Sequence, residues 1–217
     1  MAKAHAQVQR IVNQRRIGAQ HKPLLAAPEG DAGMSRIKPL SFSVPIFTLV
    51  CAFAVFVVPQ ARAETAKATV TAINASGTGA TLGTISFEDT KWGLLVRPDL
   101  SGLPPGAHGL HIHAKPACGP GDNQGKMAAG FAAGGHLDPA KTGKHLGPYD
   151  ASGHQGDLPP LLVDPEGKAT LPVLAPRLTV KDVTGHSIMI HEGGDNYSDQ
   201  PKPLGGGGGR IACGVIQ

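Results

Sequence analysis

The sequence predicts an all-β fold, a sandwich or barrel of about eight short antiparallel strands. Three observations carry that prediction. Aromatic residues make up 4% of the chain while Gly numbers 30 and Pro 19, a composition of short strands and frequent turns. From Lys67 onward, apolar and polar residues alternate in short runs bounded by Gly, Asp, Asn and Pro. No stretch keeps a 3.6-residue apolar face, so long packed helices are not expected. With 217 residues, 41% of them hydrophobic, the chain can bury one ordinary domain core and has residues to spare.

The surplus lies at the N-terminus. Residues 1–33 are polar and lack strand alternation, and Met34 would itself make a good start; a mis-assigned start codon or a long leader both fit, and neither gives His5 or His21 a role. Residues 34–63 read as a secretory signal peptide: Arg36 and Lys38, a mostly apolar run over 44–58, then Ala61-Arg62-Ala63 as a small-x-small cleavage site. That run contains Pro45 and falls short of the roughly 20 residues a membrane-spanning helix needs. A cleaved leader is therefore expected, with no stable membrane association after cleavage. Cys51 has no small residue before it, which argues against lipid attachment. Residues 64–217 are then the exported domain.

The charge divides at the same place. The whole chain carries +4, but from Glu64 onward 12 Lys and Arg face 14 Asp and Glu, a net −2. No basic stripe or series of base-stacking aromatics follows in that part, so nucleic-acid binding is excluded as a function class.

Within the exported part, strands are expected over 68–73, 81–87, 94–96, 109–113, 169–173 and 187–191. Between His113 and Leu161 the alternation stops, and the chain becomes rich in Gly, His, Pro and Asp. A structureless connection of that length inside a compact domain is usually functional, and something other than an apolar core must order it. Losing the leader removes Cys51 and leaves Cys118 and Cys213 in a disulfide-permitting compartment, so one bridge is expected, with two separate buried thiols as the alternative.

The histidines point to metal. In His108-Gly109-Leu110-His111-Ile112-His113 the two-residue period of a strand puts His111 and His113 on one face and Leu110 and Ile112 on the other. His136, His145, His154 and Asp157 follow as H-x8-H-x8-H-x2-D, three imidazoles and a carboxylate able to close a tetrahedral shell. Such a closed set is what structural Zn²⁺ takes, and binding it would order the loop. His191 ends a later strand, with Glu192-Gly193-Gly194-Asp195 at the turn beyond it.

The runs HGLHIHA, GGHLDP, KHLGP, GHQGDLP, HEGGDN and GRIACGVI resemble the metal-site and disulfide motifs of the copper, zinc superoxide dismutases, over residues 67–217. The spacing of SDQPKPLGGGGGR before Ile211 resembles the bacterial periplasmic branch. The resemblance implies an eight-stranded Greek-key barrel with long metal-binding loops, one copper and one zinc per subunit, superoxide as substrate, and a periplasmic location. It implies copper on His111, His113, His136 and His191, with His136 bridging to zinc on His145, His154 and Asp157. Asp195 matches a carboxylate joining a copper-ligand to a zinc-ligand histidine. Cys118 and Cys213 match the intrachain disulfide. Arg210 matches an anion-guiding arginine and His136 a proton carrier; these two are the catalytic residues implied.

His108 matches a backbone-bonding histidine that is not a ligand, and His186 has no matching role. Lys115, Lys126 and Lys202 are candidates for drawing an anion toward a domain of net negative charge. The run of five glycines near the C-terminus departs from the charged guiding loop of the eukaryotic branch. Both monomer and homodimer stay open. A metal-storing or metal-delivering protein on the same domain is the alternative function, and Arg210 with a bridging-type His136 argues against it.

Overall fold

Every second residue at the start of the described chain is small and apolar, and the first strand turns that alternation inward: Ala66, Ala68 and Val70 are buried while Thr65, Lys67 and Thr69 face out. The structure, a computed structural model, describes residues 63–217. The expected extension over 1–33 and all of the leader before Ala63 lie outside the described residues.

Eleven strands follow in order: β1 (Thr65–Asn74), β2 (Gly77–Thr90), β3 (Gly93–Leu100), β4 (Gly106–His108), β5 (Leu110–His113), β6 (Gly121–Asn123), β7 (Lys126–Ala128), β8 (Leu161–Val163), β9 (Val173–Ala175), β10 (Ser187–His191) and β11 (Arg210–Val215). One four-residue helix, α1 (Val180–Val183), lies between β9 and β10. Seven strands make one antiparallel sheet in the order β5-β10-β11-β1-β2-β3-β9, and β4 pairs with β8 apart from it. The neighbours β5 and β10, β11 and β1, and β3 and β9 are far apart in sequence, the crossovers of a Greek-key path. β4 and β5 form one run interrupted at Gly109. Counting them once, and setting aside the β6–β7 hairpin inside the long loop, leaves the eight strands expected.

Two details differ from the sequence expectation. Over 169–172 only Ala169 pairs, as a single bridge to Leu100, and the strand begins at Val173; Pro172 lacks the N–H that a ladder needs. The loop after His113 also carries local structure, the β6–β7 hairpin and a 3₁₀ turn at Phe131–Ala133.

The sheet separates two faces. Phe87, Ile85, Leu94, Leu110, Ile112, Ile188 and Ile190 enter one large core. On the opposite face of β5, β10 and β11 the register sets His111 beside Met189, His113 beside Ser187 and Met189 beside Cys213. There Met189 and Cys213 join Ile73 and Ala133 in a second, smaller cluster. The disulfide Cys118–Cys213 closes this side, joining residues 95 apart with Cα atoms 5.6 Å from each other. The histidine pair therefore stands on the outer face of the sheet, as its period requires, and the long loop folds over it.

Candidate metal centre

β5 pairs with β10 along one side, and the long loop covers its other side. Leu137 donates to Ile112 O at 2.8 Å, Ile112 donates to Gly156 O at 2.8 Å, and Ala114 donates to Gly135 O at 3.0 Å. Isolated bridges place His136 opposite His113 and Asp157 opposite His111. Backbone pairing of an otherwise open strand edge thus delivers the loop's ligand-type residues to the histidine face. His191 arrives from β10, where a register shift between Ile190 and His191 aligns it with Arg210 on β11.

Among the described residues two groups have ligand-type atoms all within 4.8 Å of one another: His111, His113, His136 and His191, and His111, His136, His145 and Asp157. His111 belongs to both because its ring lies against that of His136, with centroids 4.0 Å apart. His154 stands at the outer end, its Nδ1 3.5 Å from Asp157 Oδ1. Cys118 and Cys213 are joined as expected.

Five of the six rings have a partner at one nitrogen, four of them from outside the cluster. His111 Nε2 and His145 Nε2 donate to the two oxygens of Asp195, both at 2.7 Å. His113 Nδ1 donates to Gly134 O at 2.9 Å, and His191 Nδ1 lies 3.4 Å from Gly208 O. His136 Nδ1 is 3.0 Å from Asp157 Oδ1. An acceptor at one nitrogen fixes the tautomer and leaves a bare lone pair on the other. Six buried nitrogens accordingly have no hydrogen-bond partner: Nδ1 of His111, His145 and His154, and Nε2 of His113, His136 and His191. Buried polar atoms are rarely left so. Six converging in one place are the signature of a cation site, and imidazole with carboxylate is a donor set that suits copper and zinc.

Charge divides the site. Burial, then the neighbouring His111 and His136, pushes His191 down to about 2. Burial, then His111, brings His136 to about 3. Burial, then His136 and Arg210, lowers His113 well below its ordinary value. These rings are neutral donors. His145 is the opposite case: burial would lower it, but pairing with Asp157 and Asp195 raises it to about 9, so without a metal the Nδ1 beside Asp157 Oδ2 carries a proton, which a bound cation would displace. Burial alone would raise both carboxyls, yet the histidines around them hold both well below the usual carboxylate range. The anionic half of the site is therefore the half that contains Asp157.

Arg210 donates to Gly130 O at 2.8 Å and Gly134 O at 2.9 Å, and its guanidinium lies 4.2 Å over the Phe131 ring. Its charge is felt by His113 and His191. His108 bonds the carbonyls of His191 and Pro104, both at 2.8 Å, as a backbone-bonding residue. His186 sits 2.9 Å from Ala114 O, away from the cluster. Lys115, Lys126 and Lys202 are exposed.

Sequence reasoning missed several supports. Gly205, at φ 71°, packs so closely on Asp195 that a Cβ there would collide with its carboxylate and stand 2.8 Å from His145 Nε2. A Cβ on Gly207 would stand 3.2 Å from the His191 ring. Arg177 donates to the carbonyls of Pro148, Gly147 and His154 at 2.7–3.0 Å, pinning the loop around the last two histidines. The five-glycine run was a visible signal for the first two; nothing in the sequence around Arg177 marks it.

Residues 81–216 match the family described as Copper/zinc superoxide dismutase (SODC). Superoxide dismutase (Cu-Zn) 1 of Salmonella typhimurium is 59% identical over 143 residues, 65% of this chain and 81% of that protein. Superoxide dismutase (Cu-Zn) of Escherichia coli strain K12 is 49% identical over 177 residues, 81% of this chain and 98% of that protein. Among solved structures, the Cu/Zn superoxide dismutase from Brucella abortus is 44% identical with a TM-score of 0.69, and the monomeric copper, zinc superoxide dismutase from Salmonella enterica is 52% identical with a TM-score of 0.64. Each covers 71% of this chain and 100% of its own. A family match over most of the described residues, with a relative covered almost end to end at near half identity, establishes that the chain belongs to the copper/zinc superoxide dismutase family.

Proposed function

We propose that the protein dismutates superoxide, two superoxide anions and two protons giving O₂ and hydrogen peroxide. The observation that carries this reading is the set of six buried ring nitrogens without hydrogen-bond partners that converge in one place. In the proposed assignment His111, His113, His136 and His191 hold copper, and His136, His145, His154 and Asp157 hold zinc. His111 goes with copper because Asp195 occupies its Nε2, and its free Nδ1 lies within the tight group of four histidines. His154 goes with zinc because its bare Nδ1 faces Asp157. When bound, copper supplies one-electron exchange between its two oxidation states, while zinc, which has no redox chemistry, shapes and charges the site.

The chain's own groups do the rest. Arg210, fixed by two carbonyls and still cationic with its pKa lowered by burial to about 10, holds the anion by charge and hydrogen bonding. His136 Nε2 is the atom that takes up a proton and returns it to the departing peroxide. Its Nδ1, 3.0 Å from Asp157 Oδ1, is the nitrogen on the zinc side, so zinc bound there would keep the ring oriented while Nε2 changes state. Asp195 keeps His111 and His145 in register, so the two halves of the site move together. Lys115, whose side chain lies beside Gly134, the acceptor of Arg210, is the best placed of the three candidate steering lysines.

In the proposed organisation residues 34–63 are a leader cleaved on export to the periplasm, and 64–217 are the working domain. The relative from Salmonella enterica is described as monomeric; sedimentation of this protein decides between that state and a homodimer.

The test is superoxide consumption by the purified protein loaded with copper and zinc together, with zinc alone, and stripped of both. Activity is expected only with copper present. Two metals bound without turnover would overturn the dismutase reading in favour of metal storage or delivery.

A further inference from the structure

We propose that Tyr197 and Asp199 are positioning residues for the zinc half of the site, acting through His145; the inference rests on the ligand assignment proposed above. A metal ligand has to be fixed in ring orientation and in backbone position, and for His145 both come from one five-residue turn, Asp195-Asn196-Tyr197-Ser198-Asp199. Asp195 takes the ring: its Oδ1 accepts from His145 Nε2 at 2.7 Å. Asp199 takes the backbone: its Oδ2 accepts from the His145 N–H at 2.9 Å, while its Oδ1 accepts from the Leu204 N–H at 3.1 Å. One carboxylate thereby ties the zinc loop to the glycine run that packs on Asp195.

Two carboxylates four residues apart reach the same histidine because the chain doubles back between them. Tyr197 makes that reversal with a left-handed φ of 58°, a conformation that disfavours a residue with a bulky side chain and survives where the surroundings impose it. Two contacts impose it here. The Tyr197 N–H donates to Asp195 Oδ1 at 2.8 Å, the oxygen that holds the His145 ring. The Tyr197 ring lies on Gly147, where any Cβ would come within 2.5 Å of ring Cγ. The Gly147 N–H in turn donates to Asp157 Oδ2 at 3.1 Å. The turn so reaches the ring of His145, its backbone, and the glycine that braces Asp157. Ser198 O and Gly205 O close it by accepting from Gly205 N–H at 3.0 Å and Asn196 N–H at 3.1 Å. Asp199 is not in the groups of ligand-type atoms, and the direct contacts of both residues are to the His145 side of the site, so the main effect is expected on the holding of zinc.

The experiment follows zinc release from the purified, copper- and zinc-loaded protein to a chelating dye, with retained copper measured in the same samples and the absorption spectrum of Co²⁺ placed in the zinc site as a report on geometry. Asp199→Ala and Tyr197→Ala are expected to release zinc about 10- to 100-fold faster, the usual cost of losing a group that orients a ligand, and to shift the Co²⁺ spectrum while copper is retained. Asp199→Asn, which keeps one carbonyl acceptor, is expected to fall between, and Tyr197→Phe, which keeps the ring on Gly147, to release zinc at the wild-type rate. Wild-type release and spectrum in both alanine variants, with His145→Ala binding no zinc, would overturn the positioning roles and leave the ligand assignment standing. Normal zinc binding by His145→Ala would overturn the assignment itself and the inference with it.

Discussion

At Arg210 a single side chain combines an anchor and a charge. Two of its N–H donors go to the carbonyls of Gly130 and Gly134, and the guanidinium lies over the Phe131 ring, so the charge stays beside His113 and His191. Hydrogen bonds to a charged partner contribute about 1.5–3 kcal/mol. Arg210→Ala is therefore expected to lower kcat/KM by roughly 10- to 100-fold and to flatten its dependence on ionic strength, with copper and zinc content unchanged. An unaltered rate and salt dependence would remove Arg210 from substrate capture. The alternation around Leu110 and Ile112 and the H-x8-H-x8-H-x2-D spacing made the ligand-type residues legible in sequence. The glycine run marked Gly205 but not what it makes room for, and Tyr197 was not legible, because its left-handed φ is announced by no residue code.

Among the elements, β5 and β11 do the organising. β5 is an edge strand whose free side recruits the long loop, and β11 carries both Arg210 and Cys213. The disulfide ties that strand to the loop across 95 residues, a closure for which chain entropy predicts about 4–5 kcal/mol and for which removal of native bridges costs about 2–5 kcal/mol. Replacing both cysteines by alanine avoids leaving an unpaired buried thiol. Denaturant unfolding of that double variant is expected to show a loss in this range; no change in midpoint would mean that the loop is held by its metals and backbone pairing alone. At this scale sequence reasoning placed six strand regions, gave no range for β8 or β11, and began the strand before α1 too early, where Pro172 delays pairing to Val173.

For the whole molecule, two organising forces act on opposite sides of one sheet. The large core on the inner face is built of apolar side chains and holds none of the ligand-type residues. The outer face has only a small apolar cluster and a loop whose buried nitrogens lack partners. A ligand that binds only the folded state stabilises it in proportion to its affinity, by about 4 kcal/mol at a thousand times its Kd. Stripping both metals is expected to lower the unfolding temperature and to raise amide hydrogen exchange mainly over residues 114–160, while β1, β2 and β3 keep their protection. Uniform loss of protection would show that the metals support the sheet as well as the loop.

By itself the sequence determined the class of fold, the face of β5 on which His111 and His113 stand, and the chemistry of the loop, since each follows from a short-range period or from residue type. Tertiary structure decided which nitrogen of each ring is free, which ring nitrogens Asp195 holds, and why glycines crowd the approach to Asp195. Those are facts of contact between segments up to 84 residues apart, as between His111 and Asp195. No local pattern encodes them, because the acceptor that fixes a tautomer and the backbone that excludes a side chain are brought there only when the sheet closes.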